Sequence, residues 1–161
     1  MGFGIQSPTD YRFVRYVINE HWPYYAYQTM GLQDGWQRRK LGQLYFRIAN
    51  YLQPQEIIDM VGVQEYLLAA CPKAKIPPRS TSLGEHTKIE LAIVPIQSEY
   101  QQLFSWCDES SVVVFENIYQ QPELWHCLQH HPKTTVTFDL YYCGIVFFDK
   151  SRSPKNYIIN F

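Results

Sequence analysis

The chain has 161 residues, of which 46% are hydrophobic and 18% charged, and its formal net charge is −1. This length fits one domain with a buried core, and the composition excludes a disordered or charge-driven chain. Because the sequence has no excess or large cluster of basic residues, we expect no nucleic-acid partner. No run of about 18 apolar residues could cross a bilayer, and the first ten residues lack the features of a signal peptide. We therefore expect no membrane contact and a cytoplasmic location.

Two helices are predicted in the first third of the chain. Ser7 suits an N-cap, Pro8 the first helical position and Asp10 the positive end of a helix, and the helix is expected to end near residues 19–21. Apolar residues recur at spacings of three and four over residues 36–52, which predicts a second amphipathic helix. The segment between the two helices is expected to be a structured loop.

Alternating strand and helix patterns follow. Apolar and β-branched runs predict strands at residues 56–61, 73–76, 88–94, 110–115, 133–140, 144–148 and 157–161. Helices are predicted between them at residues 64–70, 98–107 and 120–131. Residues 77–87 contain two prolines, one glycine and several hydroxyl side chains, which is typical of a loop.

This alternation predicts an α/β fold with a sheet that is mostly parallel. The strands at residues 133–140 and 144–148 are expected to form an antiparallel hairpin at one edge of that sheet. The linkers are too short for a second domain, so residues 1–161 are expected to form one domain. Its N-terminal helices would occupy residues 1–53 and its sheet core residues 54–161.

Several short motifs carry a family resemblance. They are Gly-Phe-Gly-Ile-Gln-Ser-Pro over residues 2–8, Tyr-Tyr-Ala-Tyr over 24–27, and a Lys-Leu-Gly helix over 40–50; near the C-terminus, residues 131–140 and 144–148 match as well. The chain resembles class I S-adenosylmethionine-dependent methyltransferases, most closely a group of small bacterial methyltransferase-like proteins. The resemblance implies a three-layer, Rossmann-like sheet that ends in an antiparallel hairpin, here truncated in the middle.

The resemblance also indicates where a cofactor would bind. In this family the first strand ends in an acidic residue followed by a glycine-rich turn, which lets the backbone approach the cofactor. Asp59 keeps the acidic position and Gly62 the second glycine, but Val61 stands where the first glycine is expected. A β-branched residue does not adopt positive φ without strain.

The other cofactor-binding elements of the family are missing or altered. The predicted strand at residues 73–76 runs into two prolines, without the acidic residue that holds the ribose, and one strand–helix unit is absent. A later strand ends in Glu116 and Asn117, which resembles the acidic pair of metal-dependent members. Asp59, Gly62, Glu116 and Asn117 are therefore the candidate cofactor-binding residues, and no bound cofactor is expected.

Three functions remain open at this stage. The first is a non-catalytic, methyltransferase-like binding module; the second is an S-adenosylmethionine-dependent methyltransferase with an atypical cofactor site, and the third a small-ligand binder without methyl transfer. Aromatic residues make up 16% of the chain, with clusters at residues 22–27 and at Tyr141–Tyr142. Since tyrosine is enriched at interfaces, an aromatic cluster is expected to cover a homodimer contact or a protein partner.

Metal and thiol chemistry are the remaining candidates. His126, Cys127, His130 and His131 lie at helical spacing, but no second set of ligands accompanies them, so no metal site is expected. The four cysteines match no disulfide or zinc framework, which favours free thiols in a reducing compartment. No motif supports Cys–His catalysis, and Asp139 is interpreted as a solvated acid at a strand end.

Overall fold

A computed structural model describes residues 4–79 and 88–161 of the chain. The chain divides into two units, and the described residues of the first lie within Met1–Gln53 and Val63–Lys73. Those of the second lie within Pro54–Gly62 and Ala74–Phe161. The prediction that residues 77–87 form a loop lies mostly outside the described residues.

The first unit is helical. Helix α1 (Pro8–Phe13) begins where the sequence predicts, with the Ser7 hydroxyl accepting a hydrogen bond from the Asp10 backbone N–H, and a π-helical turn (Val14–Ile18) continues it. A 3-10 turn (Tyr25–Gln28) precedes helix α2 (Trp36–Leu52). Helix α3 (Gln64–Ala70) completes the unit. The predicted bounds of α2 and α3 are confirmed.

A buried arginine of α2 bonds the end of the first helix. Arg47 donates to the backbone carbonyls of Val17 and Ile18, at 2.6 and 3.0 Å, and to the Tyr27 hydroxyl at 3.2 Å. These carbonyls belong to the last turn of the first helix and have no helical partner further along the chain. Arg47 therefore stabilises the end of the first helix. Its hydrogen bonds also explain why a charged side chain is buried here.

The second unit is a six-stranded sheet. Its strands are β1 (Ile57–Asp59), β2 (Ile89–Pro95), β3 (Cys107–Glu116), β4 (Val136–Asp139), β5 (Cys143–Phe147) and β6 (Lys155–Ile158). The strand order is β1-β2-β3-β5-β4-β6. Two further helices belong to this unit, α4 (Tyr100–Ser105) and α5 (Pro122–Gln129), with a 3-10 turn (Ile118–Gln120) before the latter.

The strand pairing confirms a mixed α/β sheet that is mostly parallel. β1, β2 and β3 pair in parallel, and β4 pairs in parallel with β6. β5 is antiparallel to both β3 and β4. The predicted antiparallel hairpin is present as β4 and β5. Its predicted place at the edge of the sheet is wrong, because β5 lies inside the sheet and β6 forms the edge.

Several predicted boundaries shift for local reasons. β1 is three residues long because the turn after Asp59 begins early, and the run at residues 73–76 contributes one bridge, between Lys75 and Glu56. α4 ends at Ser105, so Cys107 starts β3 instead of ending a helix. β4 begins at Val136 because Thr134 closes a turn onto His131, and the last strand begins at Lys155 instead of residue 157.

Both faces of the central strands are covered. Thr137 on β4 is fully buried, as are Val113 and Val114 on β3 and Ile145 on β5. Continuous apolar runs are typical of strands whose two faces are both buried. Among the described residues, no helix is both long and apolar enough to cross a membrane.

Candidate functional site at the carboxyl edge of the sheet

The three parallel strands end at the same edge. Asp59 is the last residue of β1, Pro95 of β2 and Glu116 of β3, and Pro95 lies beside Glu116 in the register. Ligands of open α/β sheets bind outside the carboxyl ends of their strands. This edge is therefore the first place to look for a site, as the sequence indicates.

Asp59 uses its carboxylate to close its own turn. One oxygen, Oδ1, accepts hydrogen bonds from the backbone N–H groups of Val61 (3.0 Å) and Gly62 (2.8 Å), and the side chain is buried. Gly62 has a φ of +81°, so it supplies the left-handed residue of the turn, while Val61 does not. The turn therefore keeps one of the two glycine positions expected from the resemblance.

The cavity beside this turn is small. It has a volume of about 120 Å³ and lies at the ends of β1 and β2 against α4, lined by Met60, Val94, Ser98, Glu99, Gln102, Leu103 and Trp106. Pockets for drug-sized ligands and cofactors usually measure about 300–1,000 Å³. This cavity has room for a side chain or a few waters and not for a nucleoside.

Glu116 and Asn117 lie at the end of β3, where the backbone of Asn117 turns. Asn117 is left-handed, with a φ of +62°, and its N–H donates to the Tyr142 carbonyl at 2.7 Å. Glu116 is mostly buried, and its charge adds to the burial that raises the pKa of Cys143. Asp59 is separated from Glu116 by β2, about two strand spacings of ~4.8 Å. The structure therefore places the two acids at one edge without bringing them together.

Asp139 is a structural acid and not the solvated one predicted. Its Oδ2 accepts from the Trp125 indole N–H at 3.0 Å, and its Oδ1 accepts from the Tyr141 backbone N–H at 2.9 Å. The Trp125 ring lies over Gly144, where an added Cβ would come within 2.3 Å of the indole. Asp139 thus holds both α5 and the β4–β5 turn.

Three tyrosines cover the carboxyl edge of β3 and the β4–β5 turn. The rings of Tyr119 and Tyr141 stack at 5.0 Å with 12° between their planes, and Tyr142 stands nearly perpendicular to both. Tyr141 is 60% exposed and Tyr119 is 39% exposed. We call these three residues the tyrosine surface. The sequence singled out Tyr141 and Tyr142 but missed Tyr119, which no local pattern connects to them.

Tyr141 holds a strained backbone conformation. Its φ is +69°, which costs a residue with a Cβ about 1 kcal/mol or more. Sequences commonly place glycine or asparagine at such a turn position. An exposed aromatic ring is thus presented at some cost in stability, an arrangement that is typical of functional sites.

The other aromatic cluster is used mainly inside its own unit. Tyr24 and Tyr27 pack on Phe46 of α2 with ring centroids 5.2 and 5.5 Å away, and the Tyr27 hydroxyl accepts from Arg47. Trp22 and Tyr25 are exposed. Residues 22–27 are therefore largely a packing element, with a smaller exposed part.

The histidines in and just after α5 take part in capping and turns. The His130 ring bonds the His126 carbonyl at 2.8 Å, and Nδ1 of His131 accepts from the Lys133 backbone N–H at 3.1 Å. Within residues 4–79 and 88–161, no group of three or more histidine, cysteine and acidic side chains is arranged to hold a metal ion.

Three of the four cysteines are buried thiols. Burial raises the pKa of Cys107 to about 12 and raises the pKa values of Cys71 and Cys143 as well. A thiol with a raised pKa is protonated at neutral pH and is a poor nucleophile. Cys127, on α5, is the exposed one.

Comparisons with known proteins do not extend this description. A scan against protein-family models finds no match. A search of curated proteins finds no significant match either. Any assignment of function to the chain therefore depends on its own residues.

Proposed function

We propose that this chain is a non-catalytic binding module built on a methyltransferase-type sheet, and that it associates with a second copy of itself through the tyrosine surface. The observation that carries the proposal is the state of the carboxyl edge. Asp59 and Asp139 hold their own turns, while the exposed part of the edge is aromatic. An edge with these properties suits protein contact better than cofactor chemistry.

The sheet supports the family part of the proposal. Parallel strands β1–β3 and the antiparallel pairing of β4 with β5 agree with part of the architecture that the resemblance implies, although β6 forms the edge. Fold alone does not carry function, so the chemistry of the edge decides between module and enzyme.

The size of the cavity supports the non-catalytic part. A cofactor of nucleoside size requires several hundred Å³ at the strand ends, and the cavity at β1 and β2 holds about 120 Å³. The Asp59 carboxylate already accepts two backbone hydrogen bonds there. Opening the site would require the turn to move and those N–H groups to find other acceptors.

The tyrosine surface supports the association. Tyrosine combines a large apolar ring with a polar tip and is enriched at the energetic centres of interfaces. A contact across a twofold axis needs one patch, because the same surface serves both partners. The stacked rings of Tyr119 and Tyr141 also limit each other's movement, which lowers the entropy lost on binding.

A thermal-shift titration with S-adenosylmethionine tests the non-catalytic part. A ligand at about 100 times its dissociation constant stabilises by about 2.7 kcal/mol, which corresponds to roughly 5–10 °C for a domain of this size. We expect no saturable shift. A saturable shift that Asp59→Ala abolishes would favour the alternative, a methyltransferase with an atypical cofactor site.

Sedimentation velocity tests the association. We expect a concentration-dependent dimer that the double variant Tyr119→Ser, Tyr141→Ser converts to monomer. Tyr25→Ser is the matched control, since Tyr25 is 89% exposed but belongs to the other aromatic cluster. A wild-type chain that remains monomeric up to about 100 μM, or a dimer that only the control disrupts, would refute this contact.

A further inference from the structure

A larger opening lies at the opposite edge of the sheet. The groove between the loop after α5 and the start of β6 has a volume of about 570 Å³, within the usual range for small-ligand sites. It lies where β4 and β6 begin, and all its lining residues belong to the second unit. Neither the cofactor resemblance nor the tyrosine surface uses this groove.

The charge around the groove is positive. Lys155 lines it directly, and no acidic side chain is among the described residues that line it. The Lys150 ammonium donates to the carbonyl of the lining residue Pro132 at 2.7 Å. Burial, with the charges of Lys133 and Lys150, lowers the pKa of His131, which also lines the groove. These cations favour an anionic occupant.

Hydrogen bonds within the protein leave a donor free at two residues that line the groove. Asn156 uses its Oδ1 to accept from the buried Thr137 hydroxyl at 2.7 Å, which leaves its amide hydrogens for another acceptor. Nδ1 of His131 accepts from a backbone N–H, so the neutral ring carries its proton on Nε2 and can donate from there. Because Thr137 is fully buried, its hydroxyl fixes the orientation of the exposed Asn156 side chain.

We propose that this groove binds the phosphate group of a small phosphorylated molecule. Lys155, the Asn156 amide and Nε2 of His131 supply a charge and neutral donors, the combination that recognises a phosphate. The volume exceeds that of a free phosphate, so the remaining space is for the organic part of a phosphate ester. This site is independent of the binding function proposed for the carboxyl edge.

Amide NMR titrations with inorganic phosphate and with ribose 5-phosphate test the proposal, each against sodium chloride at equal ionic strength. We expect saturable shifts at residues 131 and 155–156, with the ester binding at least about fivefold more tightly than phosphate. Titrations that do not saturate at these residues would overturn the proposal. Equal affinity for the two probes would overturn the assignment to an ester.

Variants connect the signal to the groove. Lys155→Gln is expected to weaken ribose 5-phosphate binding about fivefold or more, and Asn156→Asp to weaken it further by adding a like charge. Lys88→Gln is the control, because Lys88, just before β2, is also exposed and pairs with Asp108 of β3. If Lys88→Gln has the same effect as Lys155→Gln, binding reflects general charge and the proposal fails. Both Lys155 and Asn156 are exposed, so neither change threatens the fold.

Discussion

The two edges of the sheet in the second unit use polar residues in opposite ways. At the carboxyl edge, Asp59 and Asp139 accept hydrogen bonds from their own turns and from Trp125, and the adjacent cavity holds about 120 Å³. At the amino edge, Asn156 and His131 each use one side-chain atom, Oδ1 and Nδ1, to accept a hydrogen bond within the protein. Each keeps a donor available beside a groove of about 570 Å³. A polar residue at a strand end therefore indicates a ligand site only when its neighbours leave part of its hydrogen-bonding capacity unused.

The largest effect is expected where the carboxyl edge is most tightly packed. In Gly144→Ala the new Cβ would lie 2.3 Å from the Trp125 indole, which Asp139 holds in place. We expect the free energy of unfolding to fall by about 3 kcal/mol, measured by urea denaturation. Gly35→Ala is the control, since nothing lies within 4 Å of the added Cβ there. Similar losses in both variants would contradict the packing described for Trp125.

A second substitution tests whether Asp59 is structural. Asp59→Ala removes the acceptor of two backbone N–H groups, and we expect a loss of about 2 kcal/mol in the free energy of unfolding. Asp59→Asn keeps a side-chain oxygen at the same position and should recover much of the loss. Phosphate-ester binding at the amino edge should be unchanged in both variants. An Asp59→Ala chain of wild-type stability would show that the turn does not depend on the carboxylate.

A third substitution separates strain from contact at the tyrosine surface. Tyr141→Gly removes the cost of a Cβ at a φ of +69°, so we expect a gain of about 1 kcal/mol in the free energy of unfolding. The same variant should weaken self-association, because the exposed ring is lost. Tyr119→Ser should weaken self-association without the gain in stability. If Tyr141→Gly is destabilising, the strain argument is wrong.

The smallest expected effect is a pH dependence at the amino edge. Burial, and next the Lys133 and Lys150 charges, lower the pKa of His131 from its ordinary value of 6.5. The unfolded chain then binds more protons, so the stability contributed by neutral His131 is present above pH 6.5 and is lost as the pH falls through the folded-state pKa.

Urea unfolding at pH about 7.5 and about 5.5 measures this dependence. The wild-type chain is expected to lose more stability on acidification than His131→Gln, which cannot take up the proton. An identical loss in the two chains would show that His131 does not contribute.

Periodicity and turn chemistry predicted much of the fold. Helices α2 and α3 match their predicted bounds, because their apolar spacing and the residues that end them are local signals. The position of β5 inside the sheet was not predictable, since pairing between distant strands leaves no local pattern. The parallel bridge between Glu56 and Lys75 likewise replaces a predicted strand.

The candidate site was predictable in position but not in chemistry. The ends of β1 and β3 follow from the strand pattern, so Asp59, Glu116 and Asn117 could be named as residues of one edge. The bond from the Asn117 N–H to the Tyr142 carbonyl could not be predicted, nor could the bond from Trp125 to Asp139, because these partners come from other parts of the sequence. The groove beside Lys155 and Asn156 was missed for the same reason, since residues 129–135 and 154–156 meet only in the folded chain.

The most direct test of the central claim is an amide NMR titration of the wild-type chain with S-adenosylhomocysteine. A non-catalytic module whose carboxyl edge is closed predicts no saturable shift at Asp59, Gly62, Glu116 or Asn117. Saturable shifts at these residues would contradict the account. They would show that the turn after β1 opens to admit a nucleoside, and the chain would then have to be treated as a cofactor-binding enzyme.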